Sequence, residues 1–190
     1  MFELTLLDHL RLTFGHVVYR HKAHTRIAYV RARWSRWFRG AEAVLMTGVA
    51  FAALGAAFGR GDVHTYAIAS AVLSGLALVT LILHLTFDLD GTAHAHGACA
   101  TRLWQIREQY RALLSDLTDG AIDLETARRR RDALMNVLHG IYENAPPSDH
   151  QAYQTAGQAA MAVDEGALND EEIDRFLPKS LHKPAKSAVA

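Results

Sequence analysis

Two apolar runs in the middle third of the chain limit what it can fold into. The first is Ala43–Phe58 (AVLMTGVAFAALGAAF) and the second Tyr66–Phe87 (YAIASAVLSGLALVTLILHLTF), with a short polar break from Gly59 to His64 between them. A bilayer core takes roughly 20 mostly apolar helical residues, with a range of about 17–25. The second run meets that length, and the first reaches it when counted from Gly40 to Gly59. The pair predicts a helical hairpin that crosses a bilayer twice. Both runs are too long and too apolar for an ordinary soluble core helix.

The flanks orient the hairpin. Trp34, Trp37 and Phe38 alternate with Arg33, Arg36 and Arg39 just before the first run, whereas the tip offers only Arg60 against Asp62. Tryptophan favours the headgroup level, and basic residues beside a span stay cytoplasmic. Trp34, Trp37, Arg36 and Arg39 are therefore the expected membrane-interface anchors. Both termini are expected in the cytoplasm, with two spans in the inner (cytoplasmic) membrane. The first residues, MFELTLL, lack the basic region of a signal peptide. The formal net charge of zero gives no reason to expect nucleic acid as a partner, and the single cysteine, Cys99, excludes an intrachain disulfide.

The rest of the chain reads as helices, so the fold class is all-α: a long basic N-terminal amphipathic helix, a two-helix transmembrane hairpin and a C-terminal cytosolic helical bundle. Residues 1–39 carry Leu7, Leu10, Phe14, Val17, Ile27, Val30, Trp34 and Trp37 at helical spacing, with His21 and His24 in the gap. This helix can run on into the first span. Residues 40–87 form the hairpin. In the region 88–177, the glycines of DLDGTAHAHG (Asp88–Gly97) suggest a break or loosened helix at the membrane exit. A stripe of Leu103, Ile106, Tyr110, Leu113 and Leu117 then predicts a helix ending near Thr118–Gly120, and Asp123 is placed to cap the next one. Ser148-x-x-Gln151 is a capping box for a further helix, and Asp170 is placed to cap a short last one through Leu177. Residues 178–190 have no periodicity and are expected to be a disordered tail.

Few residues invite chemistry. Small residues recur four apart in Gly48/Ala52/Ala56, Gly55/Gly59 and Ala67/Ala71/Gly75. Such rows pack the two helices of one chain or several chains together. Glu42 and His84 are the ionisable groups within the hydrophobic stretch, and an antiparallel hairpin puts them at similar depth. They are candidates for a pore mouth or gate, or else an interfacial pair. His94-x-His96 with Asp88 and Asp90 does not make a metal site, because residues i and i+2 of a helix face apart. Arg128, Arg129, Arg130 and Arg131 form the densest charge run. It is a candidate contact for an anionic ligand or lipid, or a solvated surface paired with Asp132 and nearby acids. His21, His24, His139 and Glu143 have no spacing that demands a catalytic pocket, and Cys99 and Ser115 lack a nucleophile motif. No catalysis and no cofactor are expected.

The stretch RRDALMNVLHGIYENAPPSDHQAY (Arg130–Tyr153) and the earlier YRHKAHTR (Tyr19–Arg26) ahead of a two-helix hairpin resemble the SLATT domain. The likeness extends over about residues 5–165, in the order basic helix, hairpin, helices, then Tyr-x-x-Ala-Pro. It implies a prokaryotic membrane effector that permeabilises the cell in antiphage defence (abortive infection). It also implies triggering by a partner that makes or senses a nucleotide signal. No catalytic set comes with the family. The expected function is thus a homo-oligomeric pore-forming or permeabilising effector that contacts membrane lipids. The alternative is a non-conducting anchor or scaffold that recruits a partner protein through its cytosolic helices.

Overall fold

The computed structural model describes residues 5–59, 62–147 and 170–183. Within them the chain forms α1 (Leu6–Ala57), α2 (Val63–Thr86), α3 (Leu89–Thr118), α4 (Leu124–Glu143), α5 (Asp170–Asp174) and a 3-10 turn at Lys179–Leu181. No strand occurs among the described residues. The chain divides into two compact units, Met1–Ile27 with Ala95–Ala190, and Ala28–His94. The amphipathic helix and the first span are one uninterrupted helix, so residue 39 is not a helix boundary. The Ser148 capping box and the apolar face expected after it lie outside the described residues.

The long helices share one period. The inward positions of α1 include Leu10, Phe14, Val17, His24, Ser35, Phe38, Glu42, Leu45, Val49 and Ala52. Those of α3 are Leu89, Thr92, His96, Cys99, Leu103, Ile106, Tyr110, Leu113 and Leu117. Those of α2 are Tyr66, Ser70, Leu73, Ala77, Thr80 and His84. Steps of three and four alternate, which is the 3.5-residue repeat of helices packed knobs into holes. This corrects the face expected for the second half of the basic helix. The stripe Ile27/Val30/Trp34/Trp37 does not stay inside: Trp34 and Trp37 are 57% and 66% exposed, while Ser35 is fully buried.

In the first unit, Leu10, Phe14 and Val17 of α1 close on Leu103, Ile106, Tyr110 and Leu113 of α3 and on Ala127, Leu138 and Ile141 of α4. α3 ends through Gly120, and the Asp123 carboxylate accepts from the Thr126 N–H to start α4, as the sequence predicts. The stretch 170–183 is strapped to the start of α1. Arg11, 2% exposed, donates to the Asp174 carboxylate and the Leu181 carbonyl. Lys183 bridges Asp8 (2.7 Å) and Asp170 (3.0 Å), and Phe176 packs edge-on against Tyr19. Residues 179–183 are therefore ordered, contrary to the disordered tail expected from their composition. A buried guanidinium is held only while its acceptors stay in place, so these few polar contacts secure the strap. Asp170 opens α5 as its first helical residue.

The second unit is the hairpin and its base. Gly59, at φ +61°, ends α1 in a left-handed conformation that other residues rarely adopt. Asp62 accepts from the backbone N–H groups of His64 and Thr65 and starts α2. The two helices approach closely where α1 carries glycine. A methyl group on Gly55 would sit 2.8 Å from the Tyr66 ring, and one on Gly48 3.1 Å from Leu73. The Gly48 and Gly55 rows thus serve the hairpin's own packing. α2 stops at Phe87, and α3 restarts two residues later, with Asp88 at φ 38° and its carboxylate accepting from the Gly91 N–H. The loosened segment expected over residues 88–97 is confined to this turn, and Leu89 onward is helical.

One polar pair lies inside the first unit. The Nδ1 atoms of His24 (α1) and His96 (α3) are 2.9 Å apart, and both residues are buried. One nitrogen donates and the other accepts, so at least the accepting ring is uncharged. Burial, then the neighbouring His96, Arg20 and His21, push His24 down to about 4 from 6.5. The unfolded chain therefore takes up this proton first, and stability falls as pH drops from 6.5 towards 4. The full effect is about 3 kcal/mol. Chemical unfolding in detergent, followed by circular dichroism, should show this loss for the parent chain. The double replacement His24→Leu with His96→Leu should flatten it. An unchanged pH slope in that variant would contradict the assignment.

Candidate functional site

Polar side chains converge where the hairpin's apolar surface ends at its open side. Ser35, Phe38, Arg39 and Glu42 lie at i, i+3, i+4 and i+7 along α1, which sets them on one face. α2 contributes His84 and α3 contributes Asp90. The tight turn at Phe87–Asp88 brings Asp90 beside His84.

His84 is the hub. Its Nδ1 is 3.2 Å from Glu42 Oε1, and its Nε2 is 3.6 Å from Asp90 Oδ2 and 3.5 Å from Ser35 Oγ. The Phe38 ring stacks on it at 5.9 Å between centroids and 17° between planes. The Ser35 hydroxyl donates to Asp90 Oδ1 at 2.6 Å, and Arg39 lies 3.5 Å from the same oxygen. The buried hydroxyl, then Arg39 and His84, hold the Asp90 carboxyl below its usual range. The ring thus faces a carboxylate oxygen from each nitrogen. A doubly protonated ring has an N–H for both, and a neutral ring has one. The arrangement ties α1, α2 and α3 together through one imidazole ring.

The predicted site residues are distributed as follows. Glu42 and His84, which the antiparallel geometry puts at similar depth, meet directly. Arg39 turns to Asp90. Trp34, Trp37 and Arg36 are exposed on the outer side of α1. In the arginine run, Arg130 pairs with Asp116 (2.7 Å) and Arg131 with Asp132 (2.7 Å). Arg129 reaches the Thr126 hydroxyl, and Arg128 lines a shallow cleft with Leu6, Leu7, Leu117 and Leu124. Half of the run is thus committed to local acids. His139 pairs with Glu143 on its own helix, and His21 bonds the Ala100 carbonyl. Among the described residues no three His, Cys, Asp or Glu side chains are grouped to hold a metal. Cys99 is buried, and burial raises its thiol pKa, away from the thiolate that a nucleophile uses.

Sequence reasoning missed Ser35 and Asp90. The available signal was the 3.5-residue register of α1, which places Ser35 one turn before Phe38 and Glu42 on the inward face. Replacing Ser35 by Ala should cost about 1 kcal/mol in detergent unfolding experiments. The Asp90 carboxyl should then titrate closer to 3.8 than in the parent, read by carbon NMR. An unmoved Asp90 titration would show that the hydroxyl does not set its acidity.

Known proteins offer one comparison. No curated protein and no solved structure matches the chain. Residues 6–172, most of its length, match the description of SLATT_4, the SMODS and SLOG-associating 2TM effector domain family 4. Two helices long and apolar enough to span a bilayer, joined by a capped turn, agree with the two-span architecture in that description. The chain belongs to SMODS and SLOG-associating 2TM effector domain family 4.

Proposed function

We propose that this chain is an inner-membrane effector that self-associates and permeabilises the membrane in nucleotide-signal-linked antiphage defence, with both termini in the cytoplasm. One observation carries the reading. The hairpin spends its Gly48 and Gly55 positions on its own packing and leaves another small-residue row outward. Ala67, Ala71 and Gly75 of α2 are exposed, and the space beside Gly75 is open. In lipid such a row lets a second helix approach closely. One hairpin cannot enclose a water path, so conduction requires several copies. The lumen would be weakly polar, because the Thr47 and Thr80 hydroxyls donate to carbonyls of their own helices. A hydrophobic constriction that opens by wetting suits that lining, with Glu42 and His84 near its mouth.

The second reading is a non-conducting anchor. It draws support from exposed Trp104, Leu124, Met135 and Val137 on α3 and α4, which offer apolar area to a partner protein.

Dye release from liposomes carrying the purified chain separates the two. It should be measured with and without a nucleotide-signalling partner. The pore reading predicts release that rises steeply with the protein-to-lipid ratio. Gly75→Leu should suppress it at least several-fold and reduce cross-linked oligomers in parallel. No release under either condition would leave the anchor reading.

A further inference from the structure

On α1, just before the first span, Tyr29, Arg33 and Arg36 stand at i, i+4 and i+7 and share one stripe. Trp34 and Trp37 form the neighbouring stripe. Tyr29 is 54% exposed and the two indoles more so. Arg33 and Arg36 are exposed as well, and among the described residues neither has an acidic partner, whereas Arg39 is taken up by Asp90. The next residue on the stripe is Gly40, which is exposed and has open space beside it.

Two guanidinium groups one helical turn apart can bracket a single phosphate with paired N–H donors, and a tyrosine hydroxyl one turn back adds a third donor. Indoles on the adjoining stripe sit at the boundary between headgroups and acyl chains. The bare backbone at Gly40 leaves room for the start of an acyl chain along the span. We propose that Tyr29, Arg33 and Arg36 bind the phosphate of an anionic glycerophospholipid in the cytoplasmic leaflet, with Trp34 and Trp37 flanking it. A zwitterionic headgroup brings its own ammonium against the two arginines, so the site favours a lipid such as phosphatidylglycerol. The inference moves the anionic-lipid contact from the Arg128–Arg131 run, half of which is paired with acids, to the helix that enters the membrane. It rests on the two-span reading and is independent of whether the assembly conducts.

The test uses the full chain with Trp104→Phe, so that fluorescence reports Trp34 and Trp37. The protein is placed in phosphatidylcholine vesicles containing a small fraction of phosphatidylglycerol brominated near the top of its chains. Quenching is compared with that from equally brominated phosphatidylcholine at the same fraction. The site predicts stronger quenching by the anionic lipid, weakened by 0.5 M salt. The preference should fall roughly five-fold for each arginine lost in Arg33→Gln and Arg36→Gln. Equal quenching by the two lipids in the parent chain would overturn the proposal. So would a preference that survives in the double arginine variant. Because the parent comparison needs no arginine replacement, the result does not depend on how the variants fold, and dye release plays no part in it.

Discussion

Most polar side chains on the inward seams of these helices find one another, the buried Tyr110 hydroxyl being an exception among the described residues. Pairing the non-apolar positions of a seam that repeats every 3.5 residues stabilises it, because an unpaired polar group buried between helices costs about 1–3 kcal/mol for a lost hydrogen bond and more for a charge. The chain places His24 against His96, His21 against the Ala100 carbonyl, Ser35 against Asp90, and Glu42 against His84. Each pair joins α1 to α2 or α3. Sliding a helix by one residue would bury these groups among apolar neighbours, so the pairs specify register where alanine-rich surfaces alone would tolerate several.

The same constraint separates structure from interaction surface. Inside the hairpin, glycine and alanine rows of α1 are occupied by Tyr66 and Leu73. What remains outside is almost wholly apolar: within the most apolar stretch of each spanning helix only 6% of residues are buried. Helices in hydrocarbon satisfy their backbone internally, so this surface is stable only in contact with lipid or other spans. The polar groups at the hairpin's open end are the opposite case. They meet within a few ångströms on three helices and tie the membrane element together at that end.

Much of this was legible in residue order. The two apolar runs gave the hairpin by length, Asp123 marked the start of α4, and Glu42 and His84 were put at similar depth. The part that was not legible has physical causes. The helical spacing puts Trp34 and Trp37 in line with core residues while their flanking position marks them as interface anchors; both are exposed, and the small Ser35 occupies the seam instead. Asp90 joins the cluster only because Asp88 adopts a left-handed turn, which its short polar side chain can support and which leaves no period to read. The strap at 170–183 depends on Arg11, whose acceptors lie more than 150 residues away. Composition takes the strap's last part, from residue 178, for a tail because the ordering there is tertiary rather than local.

A double-mutant cycle on the hub pair tests the central claim most directly. Glu42→Gln, His84→Gln and the double variant are unfolded in detergent, and the coupling energy is taken from the four stabilities. If the pair links α1 to α2, the coupling is about 0.6–1.7 kcal/mol in the stabilising direction, the scale measured for polar contacts between membrane helices. Effects that simply add, with no coupling, would contradict the account.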